Sequence, residues 1–154
     1  MINKKYLKNL ISKEINGKND FIFDLCNERI IDSLEIIKLN FKKILILGDN
    51  GTKLRKFINQ KYINTSVTLY DLKNNNFDLD EWQYKCNENE YDLIISNFYL
   101  FLSDKFDNIL KKILFSLAPN GFFIATLPTE DNFNALKLAM IKTDIELYGG
   151  AFNR

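Results

Sequence analysis

Histidine is absent from all 154 residues. Its absence removes the commonest general base near neutral pH, and with it every histidine-based triad or metal cluster. Any chemistry must come from carboxylates, amides, hydroxyls or a cofactor. Cysteine is almost as scarce: Cys26 and Cys86 stand far apart with no C-x-x-C pair, so neither a disulfide framework nor a zinc site is supported. Two free thiols and no metal are expected. Long apolar runs are missing too. The longest, 44–47 and 122–127, fall far short of a bilayer span, and the opening "MINKKYLKNLISKEING" lacks the apolar centre of a signal peptide. A cytoplasmic chain with no membrane span is expected. Nor is there an excess of one charge, since 21 basic and 20 acidic residues are dispersed along the chain for a net +1. No nucleic acid is expected as a partner.

What is present is ordinary for one globular domain: 46% hydrophobic and 27% charged residues in a length that buries a single core. The domain is expected to take in residues 1–154, with 1–20 as an N-terminal segment without clear patterning. Ile30, Ile31, Leu34, Ile37, Leu39 and Phe41 recur at spacings of three and four, which predicts an amphipathic helix over about 24–40. The run 43–47 is short, apolar and ended by Gly48, as a parallel strand buried on both faces would be. "TKLRKFINQKY" then reads as a short helix with Thr52 as N-cap, and "SVTLYD" as a second strand ending at Asp71. The following stretch is Asn-rich and irregular, with a short strand or turn around 77–80. "YDLIISN" is a strand. "SDKFDNILKKILFSLAPNG" is a helix with Ile109, Leu110, Ile113, Leu114 and Leu117 inward, stopped by Pro119 and Gly121, and "FFIATL" is the next strand. The last helix is expected to turn Phe133, Leu136, Met140 and Ile141 inward, with Thr129 or Asp131 capping it and Gly149 ending it. Strands alternating with helices in this way predict βαβ units and a parallel sheet.

Ligands of such sheets sit beyond the carboxyl ends of the strands. Gly48 and Gly51 allow a turn there with close backbone approach, and Asp71 ends the second strand about twenty residues further on, where an acid receives ribose hydroxyls. A dinucleotide fits poorly, because Asp49 inside the turn repels a pyrophosphate and Thr52 stands where a third glycine belongs. A Walker loop is excluded, since no Gly-Lys-Ser/Thr follows. S-adenosylmethionine, which presents an ammonium, a carboxylate and a sulfonium, is compatible with an acid in the turn.

The residues also carry a resemblance. "DLCNERIIDSLEIIKLNFKKILILG", "YDLIISN", "ILFSLAPNGFFIATL" and "DNFNALKLAMIKTDIELYGG" resemble, over about 21–150, the class I S-adenosylmethionine-dependent methyltransferases. Within them the chain looks most like bacterial relatives of the methyltransferase-type assembly factor of mitochondrial complex I, which are themselves similar to the malonyl-carrier-protein methyltransferase of the biotin pathway. In the last segment Asp131, Phe133, Leu136, Lys137, Ala139, Asp144, Glu146, Gly149 and Gly150 fall on matching places. The chain departs from the family at Ile46, where an acid is usual, at Thr52, and at Phe101-Leu102, which replace a His-Trp pair. It is short between Asp71 and Tyr91 and ends at Arg154, just after the Gly-Gly pair.

The resemblance implies an α/β, Rossmann-like parallel sheet of strand order 3-2-1-4-5, lacking the last strands. It implies that Gly48, Asp49, Asn50 and Gly51 hold the cofactor's amino-acid end, Asp71 and Leu72 its ribose side, and Asp80 or Glu81 the adenine amino group. The plainer reading of Asp80 and Glu81 is a solvated acidic loop. Ser96 and Asn97 close a strand where such enzymes orient the methyl acceptor, and Ser96 also borders the cofactor; the plainer reading is a polar strand end. The run Phe98, Tyr99, Leu100 and Phe101 is either a pocket wall or core. Three activities follow: methyl transfer to a protein or small molecule, an assembly-factor or arginine-hydroxylase role with a protein substrate in complex I, and a remnant that folds without chemistry. An uncovered strand 122–127 would leave an apolar edge, so a homodimer, or cover by 146–154, is also expected.

Overall fold

The computed structural model describes residues 21–48, 52–70, 86–129 and 134–150. Helix α1 (Phe21–Ile36) leads to strand β1 (Lys43–Leu47), helix α2 (Thr52–Lys61) and strand β2 (Ser66–Tyr70). Strand β3 (Tyr91–Asn97), a single 3₁₀ turn (Leu100–Leu102), helix α3 (Phe106–Ser116), strand β4 (Leu117–Thr126) and helix α4 (Asn134–Tyr148) follow.

The four strands form one parallel sheet in the order β2-β1-β3-β4. This is the order expected for the class I methyltransferase fold, with the described strands in the places of 2-1-4-5. Strand β1 is central because its residues 44–47 are apolar without a break and are buried completely. At about 1.5–3 kcal/mol per buried aliphatic side chain, such a run gains most when both faces are covered. Alternation divides it. Ile44 and Ile46 join Leu93, Ile95, Ile30, Leu34, Leu54 and Ile58 on the face carrying α1 and α2. Leu45 and Leu47 join Ile94, Leu100, Ile109 and Ile113 on the face carrying α3. At the amino end of the sheet the Asp92 carboxylate accepts from the backbone N–H groups of Lys42 and Lys43, at 2.8 and 3.0 Å, which fixes where β1 begins.

Several expectations need correction. Helix α1 runs over Phe21–Ile36 rather than 24–40. Leu39 is exposed, whereas Phe41 is buried edge-on against Tyr62 and Phe122 from the connecting segment. Strand β4 begins at Leu117, so Pro119 and Gly121 lie inside it; proline is tolerated there because β4 is an edge of the described sheet and the ladder is irregular opposite Tyr91 and Leu93. On α3, Ile109 and Ile113 are buried but Leu114 faces outward. On α4, Leu136 and Met140 are exposed and the buried residue is Asp144. Gly149 does end this helix, at φ +73° with its N–H on the Ile145 carbonyl. Phe133, Asp131 and the turn or strand near 77–80 lie outside the described residues.

Candidate functional site

The carboxyl ends of β1, β3 and β4 meet at one edge of the sheet. Gly48 ends β1 at φ +80°, a conformation that costs an L-residue about 1–2 kcal/mol. A Cβ there would stand 2.7 Å from the Asn97 carbonyl oxygen and 2.8 Å from the Tyr99 ring. The glycine is therefore required by the protein's own packing. Gly48 itself is packed against the end of β3 and Tyr99, and its N–H donates to the Tyr70 carbonyl at 2.8 Å. Helix α1 reaches the same place: Lys53, in the first turn of α2, pairs with Glu28 at 2.5 Å, which lowers the Glu28 pKa and raises that of Lys53.

Behind the turn lies a buried polar chain. Asn97 ends β3 and Thr126 ends β4, directly opposite each other in register. The Phe98 backbone N–H donates to Thr126 Oγ1 at 3.1 Å, Thr126 Oγ1 donates to Asn97 Oδ1 at 2.7 Å, and Asn97 Nδ2 donates to Asn27 Oδ1 at 2.8 Å. The Phe98 N–H can only donate, so Thr126 Oγ1 is the acceptor of that first link. Cys26 is hydrogen-bonded to the same Thr126. Burial raises its thiol pKa, partly offset by that bond, so it is a neutral thiol near pH 7. The chain ends at Asn27 Nδ2, a fully buried donor with no partner.

Phe98 sits at φ +50°, an outlier for a bulky residue and a form of strain that concentrates at functional sites. Its N–H also meets the Thr126 carbonyl at 3.3 Å, and its ring stacks edge-on with Phe23 and Phe101, at centroid distances of 6.0 and 6.1 Å. Phe23 lies one helical turn before Asn27, so aromatic rings flank the polar chain. Of the expected run, Tyr99 and Leu100 are core and Phe101 is exposed.

The structure separates Ser96 from Asn97. Strand alternation turns Asn97 toward α1 and Ser96 toward the α3 face, where Ser96 Oγ is buried without a partner. Gly48, Ser96 and Asn97 thus reach the same sheet edge, whereas Asp49, Asn50, Gly51, Asp71, Leu72, Asp80 and Glu81 lie outside the described residues. Asn27 and Thr126 were missed by the sequence reading. A signal existed for Asn27, since it precedes Ile30 and Leu34 by three and seven residues and so shares their apolar stripe. Among the described residues no cluster of three metal-ligating side chains occurs, and no helix is long and apolar enough to cross a membrane.

No protein-family model matches the chain. Over 145 residues it is 25% identical to the human mitochondrial arginine-hydroxylase NDUFAF5, covering 86% of this chain and 42% of that protein. Over those residues the chain is similar to NDUFAF5, and its four-stranded parallel sheet has the strand order expected of the class I methyltransferase fold. It spans less than half the length of that relative. Loose likenesses in shape are found with a Haemonchus contortus phosphoethanolamine N-methyltransferase solved with S-adenosyl-L-methionine (18% identity, TM-score 0.49, 80% of this chain and 28% of that one). Another is with a Thermotoga maritima methyltransferase described as a possible histamine N-methyltransferase (9% identity, TM-score 0.47, 93% and 72%).

The described residues fit an S-adenosyl cofactor in two respects. Gly48 ends β1 at the carboxyl edge of a parallel sheet, and two buried polar atoms beside that edge, Asn27 Nδ2 and Ser96 Oγ, lack partners.

Proposed function

We propose that the chain binds S-adenosylmethionine at the carboxyl edge of its sheet and acts as a methyltransferase-like protein on a protein or small-molecule acceptor. The observation that carries this reading is the buried chain from Phe98 to Asn27, which ends in an unpaired donor on α1 at the carboxyl end of β3. Buried polar atoms are nearly always paired, so an orphan at the fold's ligand edge is best explained by a bound partner.

Bound there, the cofactor supplies an electrophilic methyl group on a sulfonium. The 48–51 turn would hold its amino-acid end and Asp71 its ribose. Asn97, locked by Thr126, would orient the acceptor, and the rings of Phe23, Phe98 and Phe101 would limit water. Transfer of this kind gains chiefly from proximity and orientation, so a site without histidine suffices.

The relative's name favours a second reading, hydroxylation of a protein arginine, with a complex I subunit as the substrate that the sequence resemblance implies. A remnant that folds but binds nothing is the third. Calorimetry with S-adenosylmethionine tests the proposal. Saturable binding, weakened by Asp71→Ala through loss of hydrogen bonds worth about 1.5–3 kcal/mol each, supports it. No heat at millimolar ligand supports the remnant, and binding untouched by Asp71→Ala moves the site elsewhere. Oxygen-dependent modification of an arginine peptide favours the hydroxylase. A cytoplasmic location and a homodimer through the β4 edge belong to the same proposal; sedimentation showing a strict monomer removes the dimer.

A further inference from the structure

We infer that the Asn27 side-chain amide is a cofactor-positioning group whose free N–H donates to the carboxylate at the amino-acid end of the bound S-adenosyl ligand. The inference rests on the reading proposed above and adds to it a residue on α1, outside the turn and the strand ends.

Three observations lead there. Asn27 is wholly buried on a helix face otherwise made of Ile30 and Leu34, where an apolar residue would pack at no polar cost. Its oxygen is used, because Asn97 Nδ2 donates to it and Asn97 Oδ1 in turn accepts from Thr126 Oγ1. The Nδ2 of Asn27 is the atom left over, buried with no acceptor. The position agrees with an acceptor at the amino-acid end of the ligand. Glu28, the next residue, is tied to Lys53 at the start of α2, and Asn97, the preceding link, has its carbonyl against Gly48. Asn27 is therefore joined to both sides of the turn that would carry that end of the ligand. A donor without charge matches a carboxylate.

Asn27→Asp isolates this role. A carboxylate at 27 still accepts from Asn97 but has no donor to offer, and it repels an anionic ligand group. Burial raises the pKa of such a carboxyl, so it regains a hydroxyl donor as the pH falls. With S-adenosylhomocysteine as probe in calorimetry, the variant's affinity relative to the parent should fall ~10–100-fold at pH 8 and recover most of that loss at pH 5. Its affinity for the decarboxylated analogue of the same probe should match the parent's at both values. The unaltered chain gives a readout that needs no variant: the Asn27 side-chain ¹⁵N–¹H pair should move downfield with S-adenosylhomocysteine and stay in place with the decarboxylated analogue. If the parent binds the probe while the variant matches it at pH 8, or the Asn27 resonance does not move, the inference falls and the proposed function stands. An equal loss for both probes also overturns it, by removing the carboxylate. If the parent binds neither probe, the proposed function falls and this inference with it.

Discussion

Helices α1 and α4 are both rich in leucine and isoleucine, yet one is built into the core and the other lies almost wholly outside it. On α1 the residues Phe23, Asn27, Ile30, Ile31 and Leu34 recur at three and four, so at about 100° per residue they form one stripe that the sheet can cover. On α4 the residues Leu136, Leu138, Met140, Ile145, Leu147 and Tyr148 are spread over more than half of the cylinder, and each is exposed. Apolar content without a single face leaves nothing for one neighbouring layer to cover. The contrast places the stability, and the candidate site, at the α1 end of the molecule.

The sharpest test of that contrast is a pair of truncations. Leu34→Ala should cost about 2–5 kcal/mol through lost burial and the cavity left behind, read as a fall in denaturant midpoint. Leu138→Ala should stay within about 0.5 kcal/mol. Similar losses would mean that α4 is covered in solution. Next in size is Asn97→Ala, which deprives Thr126 and Asn27 of their shared partner; each buried group left unpaired costs about 1–3 kcal/mol. Asn97→Asp, which keeps the bond from Thr126 but presents an acceptor to Asn27, should be intermediate. Gly48→Ala should cost about 2 kcal/mol, from the positive φ and from the push on the Asn97 carbonyl.

Smallest is Tyr62→Phe. The Tyr62 hydroxyl is buried without a partner, so removing it should leave stability unchanged at pH 7 or raise it by up to about 1 kcal/mol. Burial also raises the pKa of Tyr62 and Tyr91 in the folded chain. The folded phenol keeps its proton to higher pH than the unfolded one, so its contribution is complete below the unfolded value near 10 and is lost as the pH rises through the folded value. Tyr62→Phe should therefore make the alkaline loss of stability shallower, as thermal unfolding between about pH 8 and 11 would record. An identical alkaline limb in the variant would assign the loss to Tyr91 and Cys26.

The same contrast explains what the sequence disclosed. Strands β1 and β3 were legible because an unbroken apolar run closed by Gly48 or by Ser96-Asn97 admits few other readings, and their parallel order followed from the alternation with helices. The helicity of α4 was legible but not its exposure, since spacings of three and four can be picked from a helix whose apolar residues are not gathered on one face. The early start of β4 was hidden by Pro119 and Gly121, which mark a turn unless the strand lies at an edge. Gly48 was singled out for its freedom to turn, and in the structure that freedom serves packing against Asn97 and Tyr99. Pairing Ser96 with Asn97 overlooked strand alternation. The left-handed Phe98 and the Thr126 link depend on register between β3 and β4, which no local pattern carries.

The central claim is that the edge where β1, β3 and β4 end is a cofactor site, and backbone amide shifts on titration with S-adenosylhomocysteine test it most directly. The account predicts saturable shifts at Gly48, Asn97, Phe98 and Thr126 and at Asn27 on α1, with Leu138 and Leu147 unmoved; saturation that leaves the first five residues in place, or no shift at millimolar ligand, would contradict it.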